Sequence, residues 1–370
     1  MAEGIRVDQV EILLGRVVAA GIAPGCVGLA GRRSGGGRAW CAGRLAFGGE
    51  PVTPQALYDL ASLTKPLVTT TLLLLALREG VELESPLGEF LPELSGSPWA
   101  GVSLAQCATH TAGFPAWAPL YAGGRRNREG YLEALVSVEP LAPAGERLEY
   151  SCLGFLALGV VLERGFGAPL GTLFAELVAE PLGVQEELVF RPQIGVQVAG
   201  GERDWLVEAA MLAQREIPAE PPPAASGTAP CGDGNARGLG GEGGNAGLFG
   251  TAAAVAALAM EYLPGGGELL TADEAAQATR CWTPGLSQAR GLGWQLAATP
   301  GCSAGPALPP EAFGHVGFTG TSVWIDGSRE LVAVLLTNRL HPGGRQPDLH
   351  PLRRRFNALA VTTLAPARAD

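Results

Sequence analysis

Ser62 and Lys65 stand three residues apart in Ser62-Leu63-Thr64-Lys65, at the start of a segment with a helical pattern that reaches about Glu79. Residues at this spacing share one face of a helix, so the lysine amine can reach the serine hydroxyl. A serine hydroxyl is a weak nucleophile until a base removes its proton, and a lysine can do this once desolvation and neighbouring groups lower its pKa. The helix start also directs backbone N–H groups toward the serine oxygen. The spacing predicts acyl-enzyme chemistry at Ser62.

Lys65 is the only lysine in a chain with 26 basic residues, and all the others are arginines. Arginine replaces lysine at most surface positions, but its guanidinium does not give up a proton in proteins. The composition therefore keeps lysine where a deprotonatable amine would be needed. This adds weight to a spacing that is a weak motif on its own.

Composition limits the classes of function that are open to the chain. Of its 370 residues, 47% are hydrophobic and 17% are charged, so a sizeable core can be buried. The formal net charge of -10, with acids and arginines interspersed, argues against a nucleic-acid partner. We expect a small-molecule substrate, and the oligomeric state stays open.

The sequence shows no pattern of secretion or membrane insertion. Residues 1–21 predict an amphipathic helix with charges where a signal peptide needs an unbroken apolar stretch. The most apolar run, 67–77, is shorter than the roughly 20 residues of a membrane span, so no membrane partner is expected. The seven cysteines form no C-x-x-C pair and are expected to be reduced, which predicts a cytoplasmic protein. The four histidines lack the spacing of a metal site, and no metal or other cofactor is expected.

Strand patterns occur at both ends of the chain, with helical patterns between them. Two β-like runs over 26–33 and 38–46 flank a Ser-Gly-Gly-Gly turn and predict a hairpin. Residues 291–297, 314–326 and 331–338 predict further strands, residues 351–364 a last helix, and the Pro-rich stretch 218–230 a surface loop.

This order of elements predicts an α/β (α+β) fold in a single domain, 1–370. One antiparallel sheet would be built from the N- and C-terminal segments, with a helical lobe inserted between them. The α/β lobe would cover about 1–61 and 290–370, and the helical lobe about 62–289. We expect the active site in the cleft between the lobes.

Several short motifs follow the serine and lysine along the chain. They are Thr109-His110-Thr111-Ala112-Gly113-Phe114, Tyr150-Ser151-Cys152, Leu239-Gly240-Gly241, Asn245-Ala246-Gly247-Leu248-Phe249, His315-Val316-Gly317 and Leu336-Thr337-Asn338-Arg339. Together with the first motif they resemble the penicillin-binding-protein-like serine hydrolases, a group with class C β-lactamases, esterases and D-amino-acid or muropeptide hydrolases. The resemblance covers nearly the whole chain and implies a β-lactamase-like fold and cofactor-free acyl-enzyme chemistry. It says little about the substrate.

Carried over residue by residue, the resemblance implies roles for three side chains. Ser62 corresponds to the nucleophile and Lys65 to its partner. Tyr150 corresponds to the tyrosine that takes the serine proton and passes it to the leaving group. The three side chains would form the catalytic group.

The resemblance also implies an oxyanion hole. His315 and Gly317 would lie on the strand beside the nucleophile. There the backbone N–H groups of Phe318 and Ser62 would bind the developing negative charge on the acyl oxygen.

Two positions depart from the family pattern. Cys152 stands where the family usually has Asn or Asp, and a thiol cannot offer the same hydrogen bonds. His315 stands where a lysine usually binds the carboxylate of β-lactams and D-Ala-D-Ala peptides, and an unperturbed histidine is mostly neutral at pH 7. Arg339 follows an apolar strand and could replace the missing cation or form a surface ion pair, whereas His110 is expected to support the active-site helix.

The leading hypothesis is an esterase or amidase that acts on small acyl substrates. It ranks first because both departures argue against antibiotic hydrolysis. A cell-wall-fragment peptidase or β-lactamase-like hydrolase is the second hypothesis. A catalytically silent binding protein of the same fold is a further alternative, which the altered Cys152 keeps open and the retained lysine disfavours.

Overall fold

Nine strands form two antiparallel sheets in the computed structural model, which describes residues 8–193, 195–202, 205–222, 227–343 and 346–364. The strands are β1 (Gly25–Arg32), β2 (Gly37–Gly43), β3 (Tyr58–Asp59), β4 (Leu188–Phe190), β5 (Leu248–Gly250), β6 (Gln295–Leu296), β7 (Phe313–Val316), β8 (Ser322–Asp326) and β9 (Leu331–Thr337).

The larger sheet has six strands in the order β2-β1-β9-β8-β7-β6. All of them come from the two ends of the chain, and β1 pairs with β9 in a register that sets Cys26 opposite Thr337. The predicted hairpin is present as β1 and β2, with Gly31 opposite Gly37. The predicted α/β fold with an antiparallel sheet from both terminal segments is therefore confirmed.

Helices cover both faces of this sheet. The α-helices are α1 (Gln9–Ala19), α2 (Thr71–Arg78), α3 (Leu87–Phe90), α4 (Leu104–Ala108), α5 (Arg128–Val136), α6 (Leu153–Phe166), α7 (Leu170–Phe174), α8 (Leu206–Gln214), α9 (Gly234–Gly238), α10 (Ala252–Met260), α11 (Ala272–Thr279) and α12 (His350–Thr363). On one face α1 and α12 pack together, with Leu14 and Phe356 in a shared apolar cluster. On the other face α10 separates the sheet from the helices of the central segment.

The active-site helix is irregular at its start. It begins with a 3₁₀ turn over Ala61–Leu63, continues as a π-helix over Lys65–Thr70 and becomes regular in α2. Pro66 lacks a backbone N–H, which favours such a local change in the hydrogen-bond pattern. The predicted helix from Ser62 to about Glu79 is thus present with a non-standard first half.

Two features differ from the sequence prediction. Residues 314–326 form two strands, β7 and β8, joined by a tight loop in which Gly320 has a φ of +108°. A small sheet in the order β3-β5-β4, which the pattern did not predict, joins β3 from the N-terminal part to two strands of the central segment. Its strands have only two or three residues each, too few to show a period.

Some predictions fall partly outside the described residues. Of the loop predicted over 218–230, residues 223–226 lie outside them, as do residues 1–7 of the first predicted helix. Within the described ranges no single helix is long and apolar enough to cross a membrane. One bent pair, Leu153–Phe166 with Leu170–Ala179 at 75°, passes by length and composition alone.

Candidate active site

Ser62 lies in a backbone turn that is held from several sides. The preceding residue, Ala61, has a φ of +47°, a conformation that is strained for a residue with a Cβ. The Asp59 carboxylate supports this turn, because Oδ1 accepts a hydrogen bond from the Ala61 N–H at 2.8 Å and Oδ2 accepts one from the Gly232 N–H at 2.6 Å. Burial is the main reason that the pKa of Asp59 is raised to about 6. The serine is thus presented by a fixed turn.

Lys65 is fully buried beside the serine. Its Nζ lies 3.0 Å from Ser62 Oγ, 3.1 Å from the carbonyl oxygen of Asn245 and 3.4 Å from Cys152 Sγ. The structure thus brings the serine and the lysine together as the spacing predicted. The motif around Asn245 supplies a main-chain acceptor to the lysine.

The charge state of Lys65 differs from the sequence expectation. Burial alone would favour the neutral amine, but attraction to the ionisable groups of Cys152 and Tyr150 outweighs it and raises the pKa of Lys65. The expectation that its surroundings lower this pKa is wrong. Lys65 is an ammonium at neutral pH, which can donate hydrogen bonds and stabilise a neighbouring anion.

Tyr150 lies over this ammonium. Lys65 Nζ is 5.1 Å from the centroid of the tyrosine ring, and on another side Arg290 Cζ is 5.5 Å from the same centroid. The phenol oxygen of a tyrosine in this position can relay a proton between a hydroxyl and a leaving group. The structure therefore places the three predicted catalytic side chains in one group.

His110 supports the segment that carries Tyr150. Its ring lies 4.6 Å from the Tyr150 ring, and its Nδ1 accepts a hydrogen bond from the backbone N–H of Ser151 at 3.1 Å. Burial and the nearby cations hold the pKa of His110 well below its usual range, so the ring is neutral. These contacts fit the supporting role expected for His110.

The loop after β7 is fastened to the nucleophile turn. Thr319 Oγ1 donates to the carbonyl oxygen of Asp59 at 2.7 Å, and Thr321 Oγ1 donates to that of Leu60 at 3.1 Å. At Gly317 a side chain could not be accommodated, because a Cβ would lie 2.6 Å from the Leu60 carbonyl oxygen. The close approach of the two segments thus requires glycine at this position.

Phe318 follows Gly317 at the mouth of the cleft and is 45% exposed. No acceptor in the described part of the chain takes a hydrogen bond from its backbone N–H or from that of Ser62. Free N–H donors on these two fastened segments are the elements that an oxyanion hole requires.

His315 is buried and neutral. Its Nδ1 lies 2.9 Å from the carbonyl oxygen of Val316, so Nδ1 carries the proton, and the buried Nε2 has no partner among the described residues. Burial, followed by the charges of Arg290 and Lys65, holds the pKa of His315 well below its usual range. As predicted, this position supplies no cation.

The cleft nevertheless contains cations. It has a volume of about 470 Å³, a size typical of small-molecule sites. Its walls include Ser62, Tyr150, Gln288, Arg290, Gln295, Cys302, His315, Val316, Gly317, Phe318, Arg339, Asp348, Leu349, His350 and Arg353. The cleft thus holds cations although position 315 supplies none, and Arg339, considered from the sequence as a replacement, is one of them. Arg290 and Arg353 were missed because no local motif surrounds them, and only the fold brings them to the serine.

Arg339 and Cys152, the two remaining candidates, lie on different sides of the site. Arg339 is in the cleft wall, where Nε donates to the carbonyl oxygen of Phe318 at 2.9 Å and Nη1 to that of Pro347 at 2.7 Å. It forms no ion pair with a described carboxylate, so it is not the surface pair considered from the sequence. Cys152 is half-buried at the base of the site against Lys65.

The fold and the site together define a class of protein. A serine hydroxyl lies 3.0 Å from a buried amine, beside an open cleft and next to free backbone N–H groups. This arrangement, between an antiparallel sheet and a mainly helical segment, is that of a serine hydrolase with a β-lactamase-like fold.

Comparison with known proteins agrees with this class. A family model described as Beta-lactamase matches residues 21–358, so the chain belongs to the Beta-lactamase family and is a serine hydrolase. A putative D-alanyl-D-alanine carboxypeptidase of Escherichia coli (strain K12) is 27% identical over 362 residues, which cover 88% of this chain and 80% of the relative. Esterase EstB of Burkholderia gladioli is 33% identical over 156 residues, covering 37% of this chain and 40% of the esterase.

Solved structures share the fold at low identity. A class C β-lactamase superposes with a TM-score of 0.73 at 17% identity, covering 99% of this chain and 100% of that one. EstCE1, described as a hydrolase with promiscuous acyltransferase activity, also has a TM-score of 0.73, at 20% identity with 94% and 97% covered. The predicted β-lactamase-like fold is thus confirmed.

Proposed function

We propose that the protein cleaves small carboxylic esters or amides through an acyl-enzyme formed on Ser62. The observation that carries the proposal is the 3.0 Å contact between Lys65 Nζ and Ser62 Oγ at the base of the cleft. The serine oxygen attacks the acyl carbonyl, the leaving group departs with a proton, and water then releases the acid.

Tyr150 acts in this scheme as the general base. Its phenolic oxygen takes the proton of Ser62 during attack and passes a proton to the leaving group. Lys65 stays charged and stabilises the negative charge that develops on this oxygen, in keeping with its raised pKa. In this assignment the lysine acts through its charge and its hydrogen bond to Ser62 Oγ.

The backbone N–H groups of Ser62 and Phe318 bind the oxyanion of the tetrahedral intermediate. The hydrogen bonds from Thr319 and Thr321 keep the two donors in place before the substrate arrives. Preorganised donors of this kind contribute about 2.7 to 4 kcal/mol each to transition-state stabilisation. His110 acts as a positioning residue for Tyr150.

An esterase or amidase activity is the first candidate because a neutral acyl substrate needs only these elements. Peptidase or β-lactamase-like activity on cell-wall fragments is the second candidate, supported by the arginines in the cleft and by the name of the 27% identical relative. We place the reaction in the cytoplasm, in keeping with seven free cysteines, and expect a small-molecule substrate and neither a nucleic-acid nor a membrane partner.

A labelled fluorophosphonate, with mass-spectrometric location of the adduct, tests the nucleophile. We expect a single adduct on Ser62 and a loss of both labelling and ester turnover in Ser62→Ala. Ser34→Ala, a change in the exposed hairpin turn, is the matched control and should keep both.

Full ester turnover in a folded Ser62→Ala protein would contradict the proposal. Absence of labelling and of turnover in the native protein would instead favour the silent binding protein.

A further inference from the structure

The nucleophile turn, residues 59–62, contains a strained backbone that needs support on its N–H side. Ala61 has a φ of +47°, in the left-handed region that residues with a Cβ rarely adopt. Its carbonyl oxygen accepts a hydrogen bond from Thr64 Oγ1 at 2.7 Å. Its N–H donates to Asp59 Oδ1 at 2.8 Å. The Asp59 carboxylate therefore fixes the N–H of the strained residue that directly precedes Ser62.

The other oxygen of the same carboxylate connects this turn to the start of α9. Asp59 Oδ2 accepts a hydrogen bond from the Gly232 N–H at 2.6 Å, and a Cβ at Gly232 would lie 3.3 Å from that oxygen. The segment around Gly232 is itself fixed, because Arg237 Nη1 donates to the carbonyl oxygen of Cys231 at 2.9 Å. One carboxylate thus holds the nucleophile turn against a rigid neighbour, with both of its oxygens engaged.

This arrangement depends on the negative charge of Asp59. An ionised carboxylate has acceptors only, so both oxygens can accept a hydrogen bond from a backbone N–H, and such charge-assisted bonds are strong. The neutral acid carries a proton on one oxygen, which then faces an N–H as a donor and is a much weaker acceptor. Protonation therefore disrupts one of the two hydrogen bonds, and an amide at position 59 has the same defect because its NH2 end is a donor.

The surroundings of Asp59 leave its charge easy to remove. The side chain is partly buried and forms no ion pair in the described part of the chain. The ionisable groups that face it are Cys231 and Asp233, from the segment before α9, and Arg237, from α9. Burial, with a smaller contribution from Asp233, raises the pKa of Asp59 to about 6, although the two N–H groups and Arg237 favour the anion. The carboxyl thus changes its charge close to neutral pH.

We propose that Asp59 is a positioning residue whose ionisation switches the hydrolase site on. As the anion it holds Ala61 in its strained conformation, and with it the Ser62 hydroxyl at 3.0 Å from Lys65 Nζ. As the neutral acid it releases the turn, so that the Ser62 hydroxyl and backbone N–H lose their fixed positions. The inference rests on the proposed function and deepens it, because it names protons as the regulator of the same site.

The test measures two rates as a function of pH. They are kcat/KM for p-nitrophenyl acetate, read at the isosbestic wavelength of the product, and the rate constant for labelling of Ser62 by a fluorophosphonate. In the native protein both should fall about tenfold from pH 7.5 to pH 5, because a carboxyl with a pKa of about 6 is only about one tenth ionised at pH 5.

Asp59→Asn should abolish this acid limb. Both rates should be about tenfold to a hundredfold below the native values at pH 7.5 and change less than about twofold between pH 5 and pH 7.5. Asp8→Asn is the matched control, because Asp8 at the start of α1 also accepts hydrogen bonds from two backbone N–H groups. It should keep the native rates and the native limb. An acid limb that persists in Asp59→Asn with the native midpoint overturns the proposal.

Glycine at position 61 separates positioning from other roles of Asp59. Glycine adopts a φ of +47° without a Cβ penalty, so the turn then needs less support. Ala61→Gly combined with Asp59→Asn should therefore be at least about threefold faster at pH 7.5 than Asp59→Asn alone. General damage to the structure, or direct contact of Asp59 with the substrate, would not be repaired in this way, and absence of recovery overturns the proposal.

A second variant decides if thermal melting shows that Asp59→Asn does not fold. Ala61→Gly in the otherwise native chain should keep at least about threefold more of its pH 7.5 rate at pH 5 than the native protein does. Identical ratios in the two proteins overturn the proposal.

The outcome can be separated from that of the proposed function. Ester turnover that survives in Ser62→Ala contradicts the hydrolase mechanism. Turnover that depends on Ser62, with the same acid limb in the native protein and in Asp59→Asn, removes only the role of Asp59.

Discussion

Restoring the family's lysine at position 315 should destabilise this protein. The centroids of the His315 and Tyr150 rings are 5.9 Å apart. Lys65 Nζ lies 5.1 Å and Arg290 Cζ 5.5 Å from the centroid of the Tyr150 ring. A lysine at position 315 would add a positive charge to a buried site that already holds two.

The magnitude follows from these distances. Lys65, Arg290 and the residue at position 315 lie around the Tyr150 ring, and any two of them are roughly 8 Å apart. Two like charges at that distance repel by about 2 kcal/mol at an effective dielectric constant of about 20. A charged lysine at position 315 would be repelled by both Lys65 and Arg290, by about 4 kcal/mol in total. This value does not include the cost of desolvating the lysine itself. We expect His315→Lys to be less stable at pH 7 than His315→Gln by about that amount, unless the new lysine loses its proton.

The pH dependence of this difference identifies its cause. Repulsion and burial would hold the pKa of the introduced lysine below the value of about 10.4 in the unfolded chain. The folded state then binds fewer protons than the unfolded state, so the free energy of unfolding rises with pH up to about 10. The gap between His315→Lys and His315→Gln should therefore narrow from pH 7 to pH 9.5.

Urea unfolding of both variants at the two pH values measures the gap. The same two substitutions at His350, an exposed residue at the start of α12, form the control and should differ by less than about 1 kcal/mol. A His315→Lys protein as stable as His315→Gln at both pH values would refute the idea that cations crowd this site.

Three further predictions concern other groups of the molecule. The buried imidazole of His315 has a depressed pKa, so the unfolded chain binds a proton more readily and the free energy of unfolding falls as pH drops below about 6.5. His315→Gln should reduce this fall by about 1.4 kcal/mol per pH unit, as measured by urea unfolding between pH 6 and 4.5. Glu208→Ala leaves Arg237 buried without its carboxylate and should cost about 3 to 5 kcal/mol in urea unfolding, whereas Glu149→Ala in an exposed pair should cost less than about 1. Cys152→Ala should lower kcat/KM for a neutral ester less than about tenfold, because a thiol is a weak hydrogen-bond partner; near-complete loss of activity would make the sulfur essential.

The sequence predicted those parts of the molecule that depend on local spacing. Ser62 and Lys65 meet because a helical turn brings residues three apart together, and the strands at both ends were visible from their apolar pattern. The break between β7 and β8 lies at Gly317-Phe318-Thr319-Gly320-Thr321, whose glycines signal a turn that the single predicted strand 314–326 did not take into account. The close approach of Gly317 to Leu60 holds this turn against the segment that carries Ser62.

The parts that were missed depend on distant contacts. Arg290 resembles any other arginine in the sequence, and its importance arises from its burial beside Tyr150. The raised pKa of Lys65 likewise comes from Cys152 and Tyr150, more than 80 residues further along the chain. Burial and charge at a site are sums over the folded structure, so neither could be obtained from a motif.

The pairing of β1 with β9 has a consequence for how the protein is made. Arg32 and Leu331 are opposite each other in these strands although they are about 300 residues apart, and closing a loop of that length costs about 5 kcal/mol in chain entropy. During synthesis β1 leaves the ribosome long before its central partner exists, and the hairpin of β1 and β2 waits with one open edge. We therefore expect nascent chains that end before β9 to bind general chaperones and to show no esterase activity.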